Sequence, residues 1–295
     1  MGKRIPSTEK RVQLARYLQG VGLEIGALSQ PLTLPATVTH CFYTDHFDND
    51  DLAIHYKEIP KSQFVNLDFV SDYHGLPFAD NTLDFIITNH TIEHAENVFR
   101  VIHEFQRVLK PNGILYMAVP DKRSTFDLYR ESVSFEHLAD EYHNGALQNR
   151  ETHYREWVHG IHRYFNNGAV LDETTAEAQV KDLMAQNYSI HFHTWQASQF
   201  MRHMLQMRSE LGIQLQLIDL VTIQINADNE FIVVLRKAHH DTLDWQLLDM
   251  KELAIQMLEN TERVQYSVRL TMTKREEKII ETLRRLRSWG QKLKK

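Results

Sequence analysis

The 295-residue chain is expected to fold as an α/β protein on a mostly parallel sheet of seven strands. Three observations carry that expectation. Short apolar runs alternate with amphipathic stretches through residue 120, the rhythm of strand–helix–strand units with helices on both faces of a sheet. Two β-rich runs, 214–224 and 230–236, are separated by Asn226-Ala227-Asp228-Asn229, a hairpin spacing that makes the last strand antiparallel. From His240 to Trp289 there is neither Pro nor Gly, so the chain is expected to end in helix.

The elements follow in order. Val12, Leu14, Ala15 and Leu18 give a helical period over 7–19, with Ser7 and Thr8 available as caps. Val21–Ile25, Val38–Tyr43 and Phe64–Leu67 read as the first three strands, and Leu83–Thr88 as the fourth. Residues 92–109 place Val98, Val101, Ile102, Phe105 and Val108 on one helical face, and Lys110-Pro111-Asn112-Gly113 stops the helix. Ile114–Val119 is the fifth strand. Residues 121–190 break the rhythm and are taken as a helical insertion; helix resumes over 194–207. The expected division is a core of 1–120 and 191–238, the insertion 121–190, and a helical extension 239–295. In that extension Leu247, Met250, Ala254, Met257, Thr261, Val264 and Val268 form a heptad-like stripe. Homo-oligomerisation through these helices and packing on the chain's own core are both open.

Composition excludes some classes. A net charge of −6 gives no general attraction to nucleic acid or anionic membrane. No apolar run reaches the ~18 residues of a membrane span, and the basic N-terminus lacks the apolar stretch of a secretory signal. Cys41 is the single cysteine, so an intrachain disulfide and a four-cysteine zinc site are ruled out, and a cytoplasmic setting is expected. Lys274–Lys295 carries nine Lys or Arg against three Glu, a run compatible with peripheral contact to an acidic partner or simply a solvated helix face. Seventeen histidines fit either ordinary packing or acid–base and metal chemistry.

An open parallel sheet binds ligands beyond the carboxyl ends of its strands, where strand order reverses. Glu24-Ile25-Gly26 ends the first strand, and Asp45, 21 residues after Glu24, ends the second, where a carboxylate can accept two ribose hydroxyls. A dinucleotide needs repeated glycine and a helix N-terminus for its pyrophosphate. Here Leu28 and Pro31 occupy that loop, which favours a ligand with a ribose but no phosphate; S-adenosylmethionine is one. Asp72 and the backbone N–H of Tyr73 offer an acceptor and a donor to an adenine edge.

LEIGA, YTD, D-x-x-x-LPF, LDFIITNHTIEH and RVLKPNGILYMAVPD, in that order over residues 20–120, resemble the class I S-adenosylmethionine-dependent methyltransferases. EIGALSQPL, PDKRSTFD (120–127), FEHLADEY (135–142) and IHFHTW (190–195) are similar to a bacterial subgroup often associated with glycosyltransferases. The resemblance implies a Rossmann-like fold and methyl transfer from S-adenosylmethionine, leaving S-adenosylhomocysteine. It implies that Glu24, Gly26 and neighbouring Ala27 border the methionine part, that Asp45 binds the ribose, that Asp72 and Tyr73 meet the adenine, and that Asn89 and His90 close the pocket near the sulfonium.

A hydroxyl acceptor needs a base, and four histidines are candidates. His90 and His94 are four apart and would stack on one helical turn; His191 and His193 are two apart and would share a face of an extended segment. His94 and His193 are the first choices. Such pairs also chelate metals, but the remaining ligands cannot be named from sequence, so no metal site is assigned and a metal requirement is left open. Lys122, Arg123 and Arg130, with Tyr129, Tyr154 and Trp157, are expected to line a polar acceptor site, since aromatic faces stack on sugars and Arg forks bind phosphate. The leading function is O-methylation of a sugar, glycan or glycolipid; small-molecule N- or O-methylation and a non-catalytic scaffold stay open. Nucleic-acid methylation is disfavoured because Thr88-Asn89-His90-Thr91 lacks the proline pair of base amino-methylating enzymes, and a nicotinamide oxidoreductase is disfavoured by the glycine-poor loop.

Overall fold

The computed structural model describes residues 7–223 and 228–238, together with Leu258 and Glu262. The described elements are α1 (Ser7–Leu14), β1 (Gly20–Ile25), β2 (Val38–Asp45), α2 (Asn49–His55), β3 (Phe69–Val70), β4 (Leu83–Asn89), α3 (Val98–Val108), β5 (Leu109–Pro120), α4 (Phe135–Asn144), α5 (Arg150–Phe165), α6 (Glu173–Ala185), α7 (Ala197–Leu211), β6 (Leu215–Val221) and β7 (Glu230–Lys237).

Seven strands form one sheet in the order β3-β2-β1-β4-β5-β7-β6. Pairings from β3 to β5 are parallel, and β7 runs antiparallel between β5 and β6. The expected mostly parallel, Rossmann-like sheet with an antiparallel last strand is present. The central strands are near-continuous apolar runs because both faces are covered: Phe85, Ile86, Ile87, Leu115, Tyr116, Met117, Val233 and Val234 are fully buried. One face packs on α3, α4 and α7 through Phe99, Ile102, Phe105, Leu138, Phe200 and Met204. The other face is covered by α1 and the residues that follow it, through Leu14, Ala15 and Leu18. α5 and α6 keep a smaller core of their own, with Tyr154, Val158, Ala176, Val180 and Phe192.

Three local expectations change. The third strand is Phe69–Val70 rather than Phe64–Leu67; Asp68 caps the approach by accepting the Tyr43 N–H at 2.8 Å, so pairing with β2 begins only after it. The helix expected from residue 92 starts at Val98, because Asn97 takes the cap position and accepts the Arg100 N–H at 3.1 Å. Lys110–Gly113 lies within β5 as an irregularity, with Asn112 in the left-handed region (φ 66°). The coiled-coil stripe and the basic tail lie outside the described residues. Among the described residues, no helix is long and apolar enough to cross a membrane.

Candidate active site

Strand order reverses between β1 and β4, so a crevice opens beyond Ile25, Asp45 and Asn89. Gly26 shapes it. Its φ is 69°, and a Cβ there would stand 2.5 Å from Thr91 Oγ1, so only glycine lets the β1 turn lie against the β4 turn. Leu28 also takes a left-handed φ of 47°, held by its carbonyl accepting the Val65 N–H at 2.8 Å. The loop therefore makes a glycine-type turn with leucine, at a conformational cost that packing must offset. Ala27 is buried and its carbonyl accepts the Gln30 N–H at 2.8 Å.

Glu24 is engaged within its own loop. Both carboxylate oxygens accept the Leu32 N–H, at 2.9 and 3.1 Å, so the side chain ties down the far end of the loop. Burial pushes its pKa up to about 7, against the Leu32 hydrogen bond and the Arg11 charge. Asp45 is buried at the end of β2, with Oδ1 accepting the His46 N–H at 2.7 Å; burial raises its pKa. Asp72 is exposed and accepts the His74 N–H at 3.1 Å. The Tyr73 N–H, expected to face a base, donates to Ser71 Oγ at 3.2 Å, with Tyr73 itself at φ 67°.

Asn89 ends β4, and neither polar atom of its buried amide has a hydrogen-bond partner among the described residues. A buried amide left open at a strand's carboxyl end fits a polar ligand in the crevice. His90, next in the chain, adopts φ 53° and points its Nε2 at Glu230 Oε2, 2.6 Å away. Arg11 binds the same carboxylate at 2.8 and 2.5 Å. Burial opposes the charged imidazole, but the hydrogen bond to Glu230 and the charges of Glu93 and Glu230 outweigh it and raise the His90 pKa. Glu230 is held down to about 2: its own burial is overcome by His90 and Arg11. His90 is thus committed to an ion pair, and the helical stacking expected with His94 is absent because a turn and a short 3-10 segment, Ile92–His94, replace the helix.

Beyond that segment lie His94, His191, Glu93 and Asp127. His191 Nδ1 is 2.6 Å from Asp127 Oδ2, and its Nε2 is 3.9 Å from Glu93 Oε1. Arg130 holds Asp127 at 2.9 Å and donates to the carbonyls of His191 and Phe192 at 2.7 and 3.1 Å. Gly160 on α5 makes room: a Cβ there would sit 2.4 Å from Arg130 Cγ. His191 and Arg130 together depress the Asp127 pKa despite its burial. Glu93 is 1% exposed, with neither oxygen hydrogen-bonded among the described residues, and burial raises its pKa. His94 Nδ1 lies 2.9 Å from the Ile190 carbonyl, which requires a proton on Nδ1, and burial pulls its pKa down to about 3.

His191 and His193 do not share a face. His193 turns into a separate buried cluster, its Nε2 3.2 Å from Glu141 Oε2. Fully buried and with a pKa lowered to about 4, chiefly by burial, it is a poor base toward an acceptor in the crevice. His94 is weakened likewise.

The acceptor-wall residues are corrected in part. Arg123 is 1% exposed and paired with Asp121 at 2.6 Å and Glu262 at 2.9 Å. Lys122 is equally buried, with a pKa lowered by burial to about 8. Arg130 is spent on Asp127. Tyr154 is buried and donates to the Tyr188 carbonyl at 2.7 Å. Arg123, Arg130 and Tyr154 serve the interior, because their charge or hydroxyl is already answered there, and Lys122 is buried beside them. Tyr129 and Trp157 are half-buried; Arg163 lies over the Tyr129 ring at 4.8 Å and Trp157 packs on Tyr188.

Glu93, Asp127, His137, Glu141 and His153 were missed by sequence reasoning. Glu93 sat between two histidines that drew the attention, and Glu141 and His137 carried a signal in their i,i+4 spacing within FEHLADEY.

Residues 21–117 match the family profile described as a methyltransferase domain. The cofactor that such a domain implies is S-adenosylmethionine. A search of curated proteins found no match. Similar solved structures include a methyltransferase of Thermotoga maritima described as a possible histamine N-methyltransferase (16% identity, 78% of this chain and 89% of that one, TM-score 0.40). A putative methyltransferase of Bacillus halodurans is similar at 12% identity, over 79% and 99% of the two chains, with a TM-score of 0.41. A putative zinc-dependent alcohol dehydrogenase of Rhodobacter sphaeroides is similar at 15% identity, over 80% and 92%, with a TM-score of 0.47. Likenesses of this size carry no argument about activity. The profile match and the crevice together support an S-adenosylmethionine-dependent methyltransferase.

Proposed function

We propose that the chain transfers the methyl group of S-adenosylmethionine to a hydroxyl, with His191 as the general base. The observation that carries this is the His191–Asp127 pair at 2.6 Å, set beside Glu93 just past β4. A carboxylate can only accept, so Asp127 fixes the proton of the neutral imidazole on Nδ1 and leaves the Nε2 lone pair available. Arg130 keeps Asp127 ionised and grips the backbone on either side of the Phe192 peptide, which fixes the ring's position.

The cofactor supplies a methyl carbon already activated by positive sulfur. Gly26 and Thr91 close the turn against which it would lie, Asp45 would take the ribose hydroxyls, and the open Asn89 amide would meet its polar end. His191 takes the acceptor proton as the oxygen attacks, and Glu93, nearby and buried, stabilises the imidazolium that forms. A sugar or glycan hydroxyl is the acceptor class proposed, on the strength of the sequence resemblance. Half-buried Tyr129 and Trp157 on the helical lobe offer the aromatic faces that sugars stack on.

Calorimetric titration with S-adenosylmethionine and S-adenosylhomocysteine tests the base of this reading. Both are expected to bind, and Asp45→Ala is expected to weaken binding by about tenfold or more, on the order of 1.4 kcal/mol. No binding at millimolar concentration would leave the fold as a scaffold and end the enzymatic reading.

A further inference from the structure

Behind the reactive segment lies a second cluster that methyl transfer does not use. Helix α4 presents His137 and Glu141 one turn apart, α5 contributes His153 from its first turn, and the chain after Ile190 contributes His193. His137 Nε2 and His153 Nε2 lie 3.0 and 2.9 Å from Glu141 Oε1, and 3.2 Å from each other. His193 Nε2 is 3.2 Å from Glu141 Oε2. One ligand atom from each residue lies within 4.8 Å of all the others. We propose that these four side chains form a binding site for a divalent transition metal ion, of which zinc fits the donors best.

Ordinary hydrogen bonding accounts poorly for the arrangement. Asn149 Nδ2 also reaches Glu141 Oε1, at 3.3 Å, so three donors would crowd an oxygen with two lone pairs. The two closest imidazoles would have to direct their N–H dipoles side by side at that atom. The Nδ1 atoms of His153 and His193 have no partner among the described residues, so what both rings share is the convergence of their Nε2 atoms. Lone pairs at Nε2, with a cation among them, remove the crowding. Zinc takes nitrogen and oxygen ligands at about 2.0–2.2 Å in a tetrahedron, whose edges are then about 3.3–3.6 Å. The contacts among His137 Nε2, His153 Nε2 and Glu141 Oε1, 2.9–3.2 Å, are close to those edges; His193 approaches through the other carboxylate oxygen, and with all four ligand atoms within 4.8 Å of one another, ring and carboxylate rotations would close the set on an ion. Three imidazoles and a carboxylate are a borderline donor set that suits zinc over magnesium or calcium.

The site would join α4, α5 and the segment that carries His191. Phe192 donates its N–H to the Glu93 carbonyl at 2.8 Å, and the proposed base and the cluster's His193 flank it on that one peptide run. With four protein ligands its role is to hold that run in place, and methyl transfer does not pass through the ion.

The test is metal binding, read without reference to turnover. Purified protein is stripped with dipicolinate, and Zn2+ is returned in competition with a chromophoric chelator. Co2+ is added in parallel and its visible spectrum recorded. Wild type is expected to take up a single equivalent of Zn2+, to give the intense d–d bands of tetrahedral Co2+, and to melt higher with metal than without. His137 is the most exposed of the four, so His137→Ala spares the buried residues. It is expected to lower Zn2+ affinity by more than the roughly 10–100-fold that loss of a ligand's own hydrogen-bond partner costs. Should that variant fail to fold, the Co2+ spectrum of Glu93→Gln decides: tetrahedral bands retained there support the site, and bands lost there overturn it. Stripped wild type that binds neither ion, or His137→Ala that binds as wild type does, overturns the proposal. So does binding abolished by Glu93→Gln and untouched by His137→Ala, which would put the ion between Glu93, His94 and His191 instead.

Discussion

His191 and His193 are two residues apart on one segment, yet the structure gives them opposite surroundings. His191 has one nitrogen fixed by Asp127 and the other turned toward Glu93, with its side chain 12% exposed. His193 is closed off completely, its Nε2 3.2 Å from Glu141 Oε2 and 3.4 Å from the Glu96 carbonyl. The residue type is the same and the backbone is continuous. What differs is the packing on either side: the end of β4 and the 3-10 turns around Asp127 against one ring, helices α4 and α5 against the other. A histidine acts as a base only where its second nitrogen can reach a proton to remove, and burial sets that more firmly than sequence spacing.

Paired substitutions offer the strongest way to break this contrast. His191→Asn is expected to lower kcat by ~10²–10⁴-fold, the usual contribution of a general base, with S-adenosylmethionine affinity unchanged. His193→Asn is expected to lower the melting temperature and metal affinity, with turnover of the folded fraction much less affected. Single-turnover kinetics beside a thermal melt separates the two. Equal losses of turnover at equal stability would mean that the two rings are not functionally distinct, and the assignment of His191 would fall.

The next largest effect concerns the charges of residues 121–130, which sequence reasoning sent to the acceptor. Arg123→Met would leave Asp121 and Glu262 as buried carboxylates without their cation. Breaking such a pair from one side costs about 3–5 kcal/mol, so the urea midpoint should drop sharply. KM for the acceptor should stay where it was in protein that remains folded. A raised KM with unchanged stability would return Arg123 to the acceptor wall.

These cases show where sequence was informative. The sheet was legible because Ile114–Val119 is buried on both faces and is written as an unbroken apolar run, and Leu83–Thr88 nearly so, with Asp84 the one charged residue. The places of Gly26 and Asp45 at the ends of the first two strands were legible because a strand's carboxyl end is marked by the turn that follows it. β3 was misplaced because two residues of pairing carry almost no pattern. The helical lobe was opaque for another reason. Lys122, Arg123 and Arg130 look like surface cations in one dimension, yet all three are buried, and Asp121, Glu262 and Asp127 answer the charges of the two arginines. Glu141 and His153 are 12 residues apart in different helices, so no local spacing could have joined them to His193.

The smallest expected effect bears on Glu24, which separates loop anchor from cofactor ligand at the other edge of the site. Its carboxyl has a pKa of about 7, raised chiefly by burial from an ordinary value of 4.5. A group whose pKa is higher in the folded state stabilises the fold fully below its unfolded value, and that contribution is lost as pH rises through the folded value. Wild-type stability should therefore decline between about pH 4.5 and 7 from this source, by roughly 3 kcal/mol at most. Glu24→Gln keeps an oxygen for the Leu32 N–H and has no charge to bury. The stability difference between variant and wild type should move in the variant's favour across that window and level off above it. Urea unfolding at several pH values measures this directly. S-adenosylmethionine affinity in the same variant should change little, because the carboxylate faces Leu32. A flat difference across the window would remove the buried-anchor account, and a tenfold or greater loss of cofactor affinity would restore Glu24 to the ligand side of the loop.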